Sequence, residues 1–171
     1  MTRITEATLD DIPQLCELLS ILFTQEAEFE PDAAKQAVGL RQVIGNPQIG
    51  RILVARDGPS VVGMVNLLFT VSTARGGRVA ILEDMVVRHE WRGAGTGSAL
   101  LRAAIECAQS CGCSRITLLT DGTNGPAIRF YRRHGFTPSE MVALRLLLPL
   151  PEPPNAGARR DPMGRRAPGN G

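Results

Sequence analysis

The chain has 171 residues, 43% hydrophobic and 21% charged, which suffices for one domain with a sizeable core and excludes a wholly disordered protein. Its net charge of +2 comes from Arg159, Arg160, Arg165 and Arg166 set against Glu152 and Asp161, so the remainder is near neutral and lacks a nucleic-acid binder's basic stripe. No apolar run approaches the roughly 20 residues of a bilayer span, and Met1 to Asp11 carries charges and no apolar signal core, so a cytoplasmic protein without a membrane partner is expected.

Arg3 to Ala7 reads as a short strand. Asp10 or Asp11 then caps a helix whose apolar positions Ile12, Leu15, Cys16, Leu19, Leu22 and Phe23 follow helical spacing. Glu26, Glu28, Glu30 and Asp32 crowd the next stretch, and a weaker helix runs to about Ile44, where Gly45, Asn46 and Pro47 interrupt it. Ile52 to Ala55 and Val61 to Val71 are β-branched and apolar around the turn Asp57, Gly58, Pro59, which predicts an antiparallel hairpin. A turn at Ala74 to Gly77 and a strand at Val79 to Val87 extend it into a meander.

Gly97, Leu100, Leu101, Ala104, Ala108 and Cys111 then repeat with helical period as far as Gly112, and Arg115 to Leu119 reads as a strand. Asn124 to His134 predicts a helix closed by Gly135 in a left-handed cap, and Met141 to Leu148 a last strand. Beyond it the composition turns to Pro, Gly and Arg, so residues 1–148 are expected to form the domain and 149–171 a disordered tail. This order of elements gives a single domain of the α+β (mixed α/β) class. Cys16, Cys107, Cys111 and Cys113 lack the paired spacing of a thiolate metal site, so no metal is expected.

The stretch Arg92, Gly93, Ala94, Gly95, Thr96, Gly97 leaves a strand and opens a helix, where unpaired backbone N–H groups and the helix dipole favour a phosphate. Ser98 stands where a dinucleotide fold needs its third glycine, and the Lys of a P-loop is missing. Arg92 at the head of the turn adds a cation for charge-assisted bonds. A turn that merely packs a helix tightly on a sheet is the bland alternative.

The strand Ile81, Leu82, Glu83, Asp84, Met85, Val86, Val87, followed by Arg92, Gly95 and Gly97, resembles the acetyl-CoA motif of the GNAT N-acetyltransferase family. Asn124, Ala127, Phe130, Tyr131 and the pair Gly135, Phe136 resemble that family's second motif. The resemblance is strong over residues 81–136 and covers the rest of the order from residue 3 to residue 148 in outline. It implies a strongly twisted mixed sheet flanked by helices, whose glycine-turn strand and the next parallel strand splay apart around the pantetheine. It also implies that acetyl-CoA is the cosubstrate, held by main-chain groups of Met85, Val86 and Val87, by Arg92, Gly93, Ala94, Gly95, Thr96 and Gly97 at the pyrophosphate, and by Asn124 at the arm.

Direct acetyl transfer needs a neutral amine, whose pKa is about 10.4, so a base or water chain must accept its proton. Strand alternation places Glu83 with Met85 and Val87 and Asp84 opposite, which makes Glu83 the expected acceptor, with a structural ion pair as the alternative. The leaving thiolate, with a conjugate acid near a pKa of about 8.5, is assisted by a phenol, and Tyr131 is the one tyrosine in the chain. Tyr131 also reads as a packed core aromatic, and His89 and His134 as structural residues. Arg129, Arg132 and Arg133 offer further phosphate contacts or a solvated face, and the acidic run near Glu26 attracts a cation or is an ordinary loop.

The expected function is therefore acetyl transfer to a primary amine of a small molecule, such as an amino acid, polyamine or aminoglycoside. The alternatives are a protein N-terminal or lysine acetyltransferase and a non-catalytic coenzyme A-binding regulatory module. A homodimer is expected through an exposed C-terminal edge strand.

Overall fold

A computed structural model describes residues 2–25 and 31–149. They divide into two units, one ending at Thr137 and one beginning at Pro138. The first holds all the described helices and strands, with four α-helices and a five-stranded sheet in the order β1-β2-β3-β4-β5. β1 (Arg3–Glu6), β2 (Gly50–Asp57), β3 (Ser60–Ser72) and β4 (Gly77–Val87) are antiparallel neighbours, whereas β5 (Ile116–Leu118) lies parallel to β4. The expected mixed sheet is thus present, with the meander where the apolar runs place it.

Helices cover both faces because the central strands bury both sets of side chains. On one face Leu15, Leu18 and Leu19 of α1 (Ile12–Gln25) and Leu40 of α2 (Ala33–Gly45) pack on Ile52, Val54, Met64 and Val86. On the other, Leu100, Leu101, Ala104 and Ala108 of α3 (Thr96–Ser110) pack on Val65, Leu67, Ala80, Leu82 and Val87. The apolar stripe read in residues 97–111 is this contact.

Local chemistry departs from the sequence reading at α1. Thr8, not Asp10 or Asp11, occupies the cap position, before a short 3-10 turn at Leu9–Asp11, and Asp11 reaches back to accept from the Thr8 N–H at 2.7 Å. Asp11 is thereby free to take both terminal nitrogens of Arg56 on β2, at 2.8 and 2.6 Å, fastening the helix entry to the sheet. The strand expected to reach Ala7 ends at Glu6, and that of Arg115 to Leu119 shortens to Ile116–Leu118.

The last strand is a correction. Met141 to Leu148 has no regular structure, and Met141, Val142, Leu144, Leu146, Leu147 and Leu148 are exposed. An apolar stretch becomes a strand only with a partner, and the described part of its own unit supplies none. Of the acidic run, Glu26, Glu28 and Glu30 lie outside the described residues, as do residues 150–171 of the expected tail.

Candidate active site

The sheet opens where the site residues gather. Parallel pairing between β4 and β5 stops at Leu82 and Leu118, but β4 continues along β3 as far as the pair Gly63 and Val87. From Glu83 to Val87 one edge of β4 therefore has no strand partner among the described residues. Main-chain groups alternate between the two edges of a strand. A Cβ placed on Gly63 would stand 3.0 Å from the Val86 carbonyl oxygen, and the Arg88 N–H donates to Val62 on β3, so Val86 and Arg88 face β3. Val87, and by alternation Met85, turn their main-chain groups to the open edge, where Arg92 Nε donates to the Val87 carbonyl at 2.9 Å.

The glycine turn lies beside this edge. Gly93 at φ 78° and Gly95 at φ 88° adopt the left-handed backbone that L side chains resist. Gly95 is the N-cap of α3 and supplies no side-chain cap, while the Ala99 N–H returns to its carbonyl at 2.9 Å. The N–H groups of Thr96, Gly97 and Ser98 thus have no intrahelical acceptor, which suits them to an anion. Arg92, Gly93, Ala94 and Gly95 are exposed, and Thr96 is buried. A Cβ on Gly97 would lie 3.6 Å from the Phe130 ring and 3.9 Å from Met85 Cε, so strand, turn and α4 (Gly125–Arg133) converge there.

Asn124 caps α4, its side-chain oxygen accepting from the Ala127 N–H at 3.1 Å, which leaves its amide nitrogen for another partner. The other end closes as the glycine predicts: Gly135 stands at φ 91°, and Phe136 N–H and Gly135 N–H return to Tyr131 and Arg132 carbonyls. Tyr131 packs edge-on against Phe130 at 5.3 Å and Phe136 at 5.7 Å between ring centroids. Burial pushes its phenol above the ordinary value of 10.0, which keeps it a proton donor at neutral pH. His134 Nδ1 contacts the Phe130 carbonyl at 2.9 Å within its helix, while Arg129, Arg132 and Arg133 are exposed.

The two carboxylates of β4 do not alternate as expected. Leu67 pairs with Leu82 and Val65 with Met85, so Glu83 and Asp84 together stand opposite the single residue Asn66, in a β-bulge. Leu82 and Met85, three positions apart, consequently pack on the same α3 face, and Met85 and Glu83 are no longer related by simple alternation. Glu83 is exposed. Asp84 is partly buried, and its Oδ2 accepts from Asn66 Nδ2 at 3.2 Å. Burial raises the Asp84 carboxyl above 3.8, the Asn66 bond partly offsetting this. Asn66 itself went unread in the sequence; its signal was a lone amide inside the apolar run Val61 to Val71.

Two surface cavities lie elsewhere: about 420 Å³ between α1 and α2 beside Cys16 and Arg41, and about 710 Å³ between β1 and α3 beside Glu6 and Arg102. Neither is lined by a residue expected at the site. Among the described residues, no three His, Cys, Asp or Glu side chains group to hold a metal ion, and no helix is long and apolar enough to cross a membrane.

Comparison with known proteins agrees with this geometry. The thialysine N-epsilon-acetyltransferase of Bos taurus is 38% identical over 79 residues, 46% of this chain and 46% of that protein, so the match spans about half the relative's length. The aminoalkylphosphonate N-acetyltransferase of Salmonella typhimurium is 28% identical over 137 residues, covering 80% and 86% of the two chains. Among solved structures, an integron cassette protein from the mobile metagenome of Cole Harbour Salt Marsh superposes with a TM-score of 0.75 at 28% identity, covering 86% of this chain and 91% of that one. The model of the acetyltransferase (GNAT) family matches residues 12–136, which take in both motifs and the open edge of β4, and the chain belongs to that family.

Proposed function

We propose that this protein transfers the acetyl group of acetyl-CoA to a primary amine of a small molecule by direct attack in a ternary complex. The observation that carries the reading is the unpaired edge of β4 running into a glycine turn without a side-chain cap. The fit of a pantetheine diphosphate follows from the donors left there: main-chain groups of Met85 and Val87 for the arm, the N–H groups of the first turn of α3 and Arg92 for the pyrophosphate. Val86, expected to hold the arm through its main chain, instead turns those groups to β3 and packs its side chain in the core with α1, and Asn124 has its amide nitrogen to offer the arm.

Acetyl-CoA supplies an activated acyl group on a thiol leaving group. Glu83, exposed at the bulge, takes the proton released by the attacking amine. Tyr131, protonated at neutral pH as any phenol is and fixed by two edge-on rings, hydrogen-bonds or protonates the departing thiolate. A main-chain N–H at the open edge polarises the thioester carbonyl. Relatives named for thialysine and aminoalkylphosphonate support a small amine as acceptor over a protein chain.

The test is release of free thiol from acetyl-CoA with a panel of small amines, comparing the wild type with Glu83→Gln and Tyr131→Phe. Each variant should lose about a hundredfold in kcat, the scale of positioned acid–base catalysis, with acetyl-CoA affinity kept. Tight acetyl-CoA binding without turnover on any amine would instead indicate a non-catalytic module, and absence of binding would remove the cosubstrate.

A further inference from the structure

Three of the chain's four cysteines gather where α3 ends, and acetyl transfer uses none of them. Cys107 lies in the last turn of α3 and Cys111 at its C-cap, four residues on, so the two share one helix face. The Cys111 N–H donates to the Cys107 carbonyl at 3.0 Å and closes the turn between them. Gly112, at φ 76°, then reverses the chain, and the Cys113 N–H returns to the Ala108 carbonyl at 2.9 Å. Cys107, Cys111 and Cys113 are all free thiols and half-buried. Cys107 also lines the cavity of about 710 Å³ between β1 and α3, which admits small solutes to its surroundings.

The two thiols on the shared face differ. Cys107 and Cys113 pack against the apolar cluster beneath α3, whereas Cys111 lies outside it. Burial, then the adjoining Cys111 sulfur, hold the proton on Cys107, whose thiol hydrogen-bonds to Cys111. Cys111 is therefore the sulfur left to attack an oxidant, with a proton donor beside it. Helix neighbours four apart have Cβ atoms about 5–6 Å apart, and a disulfide needs about 3.5–4.5 Å. Closing that gap of about 1–2 Å must break the Cys111 N–H bond, so a bridge here forms under strain and is readily reduced.

We propose that Cys107 and Cys111 form a reversible dithiol switch, oxidised by hydroperoxides, whose disulfide opens the last turn of α3. In the first step the Cys111 thiolate attacks the peroxide. An S–O bond forms, the O–O bond breaks, and the departing oxygen takes up the proton Cys111 released, leaving a sulfenic acid. Cys107 then attacks that sulfur: the S–S bond forms, the S–O bond breaks, and hydroxide leaves with the Cys107 proton as water. The two sulfurs together lose two electrons and the peroxide gains them. The glycine turn lies at the opposite end of α3, about 20 Å away at 1.5 Å per residue, so the switch goes beyond the acetyl-transfer reading and does not depend on it.

The test uses the full-length protein treated with hydrogen peroxide. Thiols counted after denaturation should fall from four to two and return to four with dithiothreitol. Trypsin, cutting after Arg102 and Arg115, releases the three clustered cysteines on one peptide, which after oxidation and alkylation should carry an internal bridge and a single label at Cys113. Cys107→Ala and Cys107→Ser should form no internal disulfide, and Cys113→Ala should form it as the wild type does. The Cys111 amide should exchange its hydrogen about tenfold faster in the oxidised protein, and dithiothreitol should reverse this. A bridge to Cys113, bridging undiminished in both Cys107 variants, or a thiol loss that dithiothreitol does not restore overturns the switch. So does a wild type that forms no bridge, or a bridged one whose Cys111 amide exchanges no faster.

Discussion

Replacing Gly95 and Gly97 one at a time by alanine should shift stability in opposite directions, although a single residue separates them on one turn. Gly95 sits at φ 88°, where nothing lies within 4 Å of an added Cβ, so the cost is purely conformational. Holding an alanine in that left-handed region costs about 1–2 kcal/mol. Gly97 has no positive φ, lies in the first turn of α3, and its added Cβ would meet the Phe130 ring at 3.6 Å and Met85 at 3.9 Å, ordinary van der Waals separations. Alanine there should gain about 0.5–1 kcal/mol through reduced backbone freedom in the unfolded chain. In a chain of this size each kcal/mol moves Tm by about 2–4 °C. Thermal and urea unfolding should therefore place Gly95→Ala below the wild type and Gly97→Ala slightly above it, with acetyl-CoA affinity kept in Gly97→Ala. Gly97→Leu, whose further carbons reach the Phe130 ring, should lose about 1–3 kcal/mol to overpacking. Shifts of the same sign for the two alanine variants would refute the assigned backbone geometry.

Other predictions concern the titrating groups. Asp11→Ala leaves Arg56, whose side chain is 22% accessible, with its bond to the Thr5 hydroxyl but without its carboxylate partner, and should cost about 3 kcal/mol in denaturant unfolding. The Arg56 hydrogen bonds hold the Asp11 carboxyl below 3.8, so its contribution is complete above that value and is lost as pH falls through the lowered one; the variant should lose this acid dependence. Asp84 acts with the opposite sign: its raised carboxyl favours the folded state at low pH and costs stability as pH rises from 3.8 through the raised value, a slope absent from Asp84→Asn. Cys107, pushed up from 9.0 to about 11 mainly by burial, carries about a hundredfold less thiolate than an ordinary cysteine, so mass spectrometry after mild alkylation at neutral pH should find it unmodified while a free thiol is fully labelled.

Much of the fold was legible because its signals are local. The apolar runs around Asp57, Gly58 and Pro59 specify a hairpin through turn chemistry, and Gly135 specifies the end of α4 through its φ of 91°. The glycine turn was legible for the same reason: few sequences place two left-handed residues directly before a helix. The bulge was not, because alternation cannot reveal that two residues will share one partner. Adjacent carboxylates at Glu83 and Asp84 were its trace, and Asn66 on the neighbouring strand shows the consequence only once register is known. The cap at Thr8 was missed because Asp11 is drawn away by Arg56, 45 residues distant in sequence. Met141 to Leu148 failed differently: strand composition states a preference, and pairing decides the outcome.

The central claim is that acetyl-CoA occupies the open edge of β4 and the turn that follows. Backbone amide resonances followed during titration with acetyl-CoA test it most directly. The N–H groups of Met85, Val87, Thr96, Gly97 and Ser98 should shift strongly, and Val86, whose main chain faces β3, much less. Shifts confined to the cavity between α1 and α2 beside Cys16 and Arg41, with the glycine turn unmoved, would contradict it.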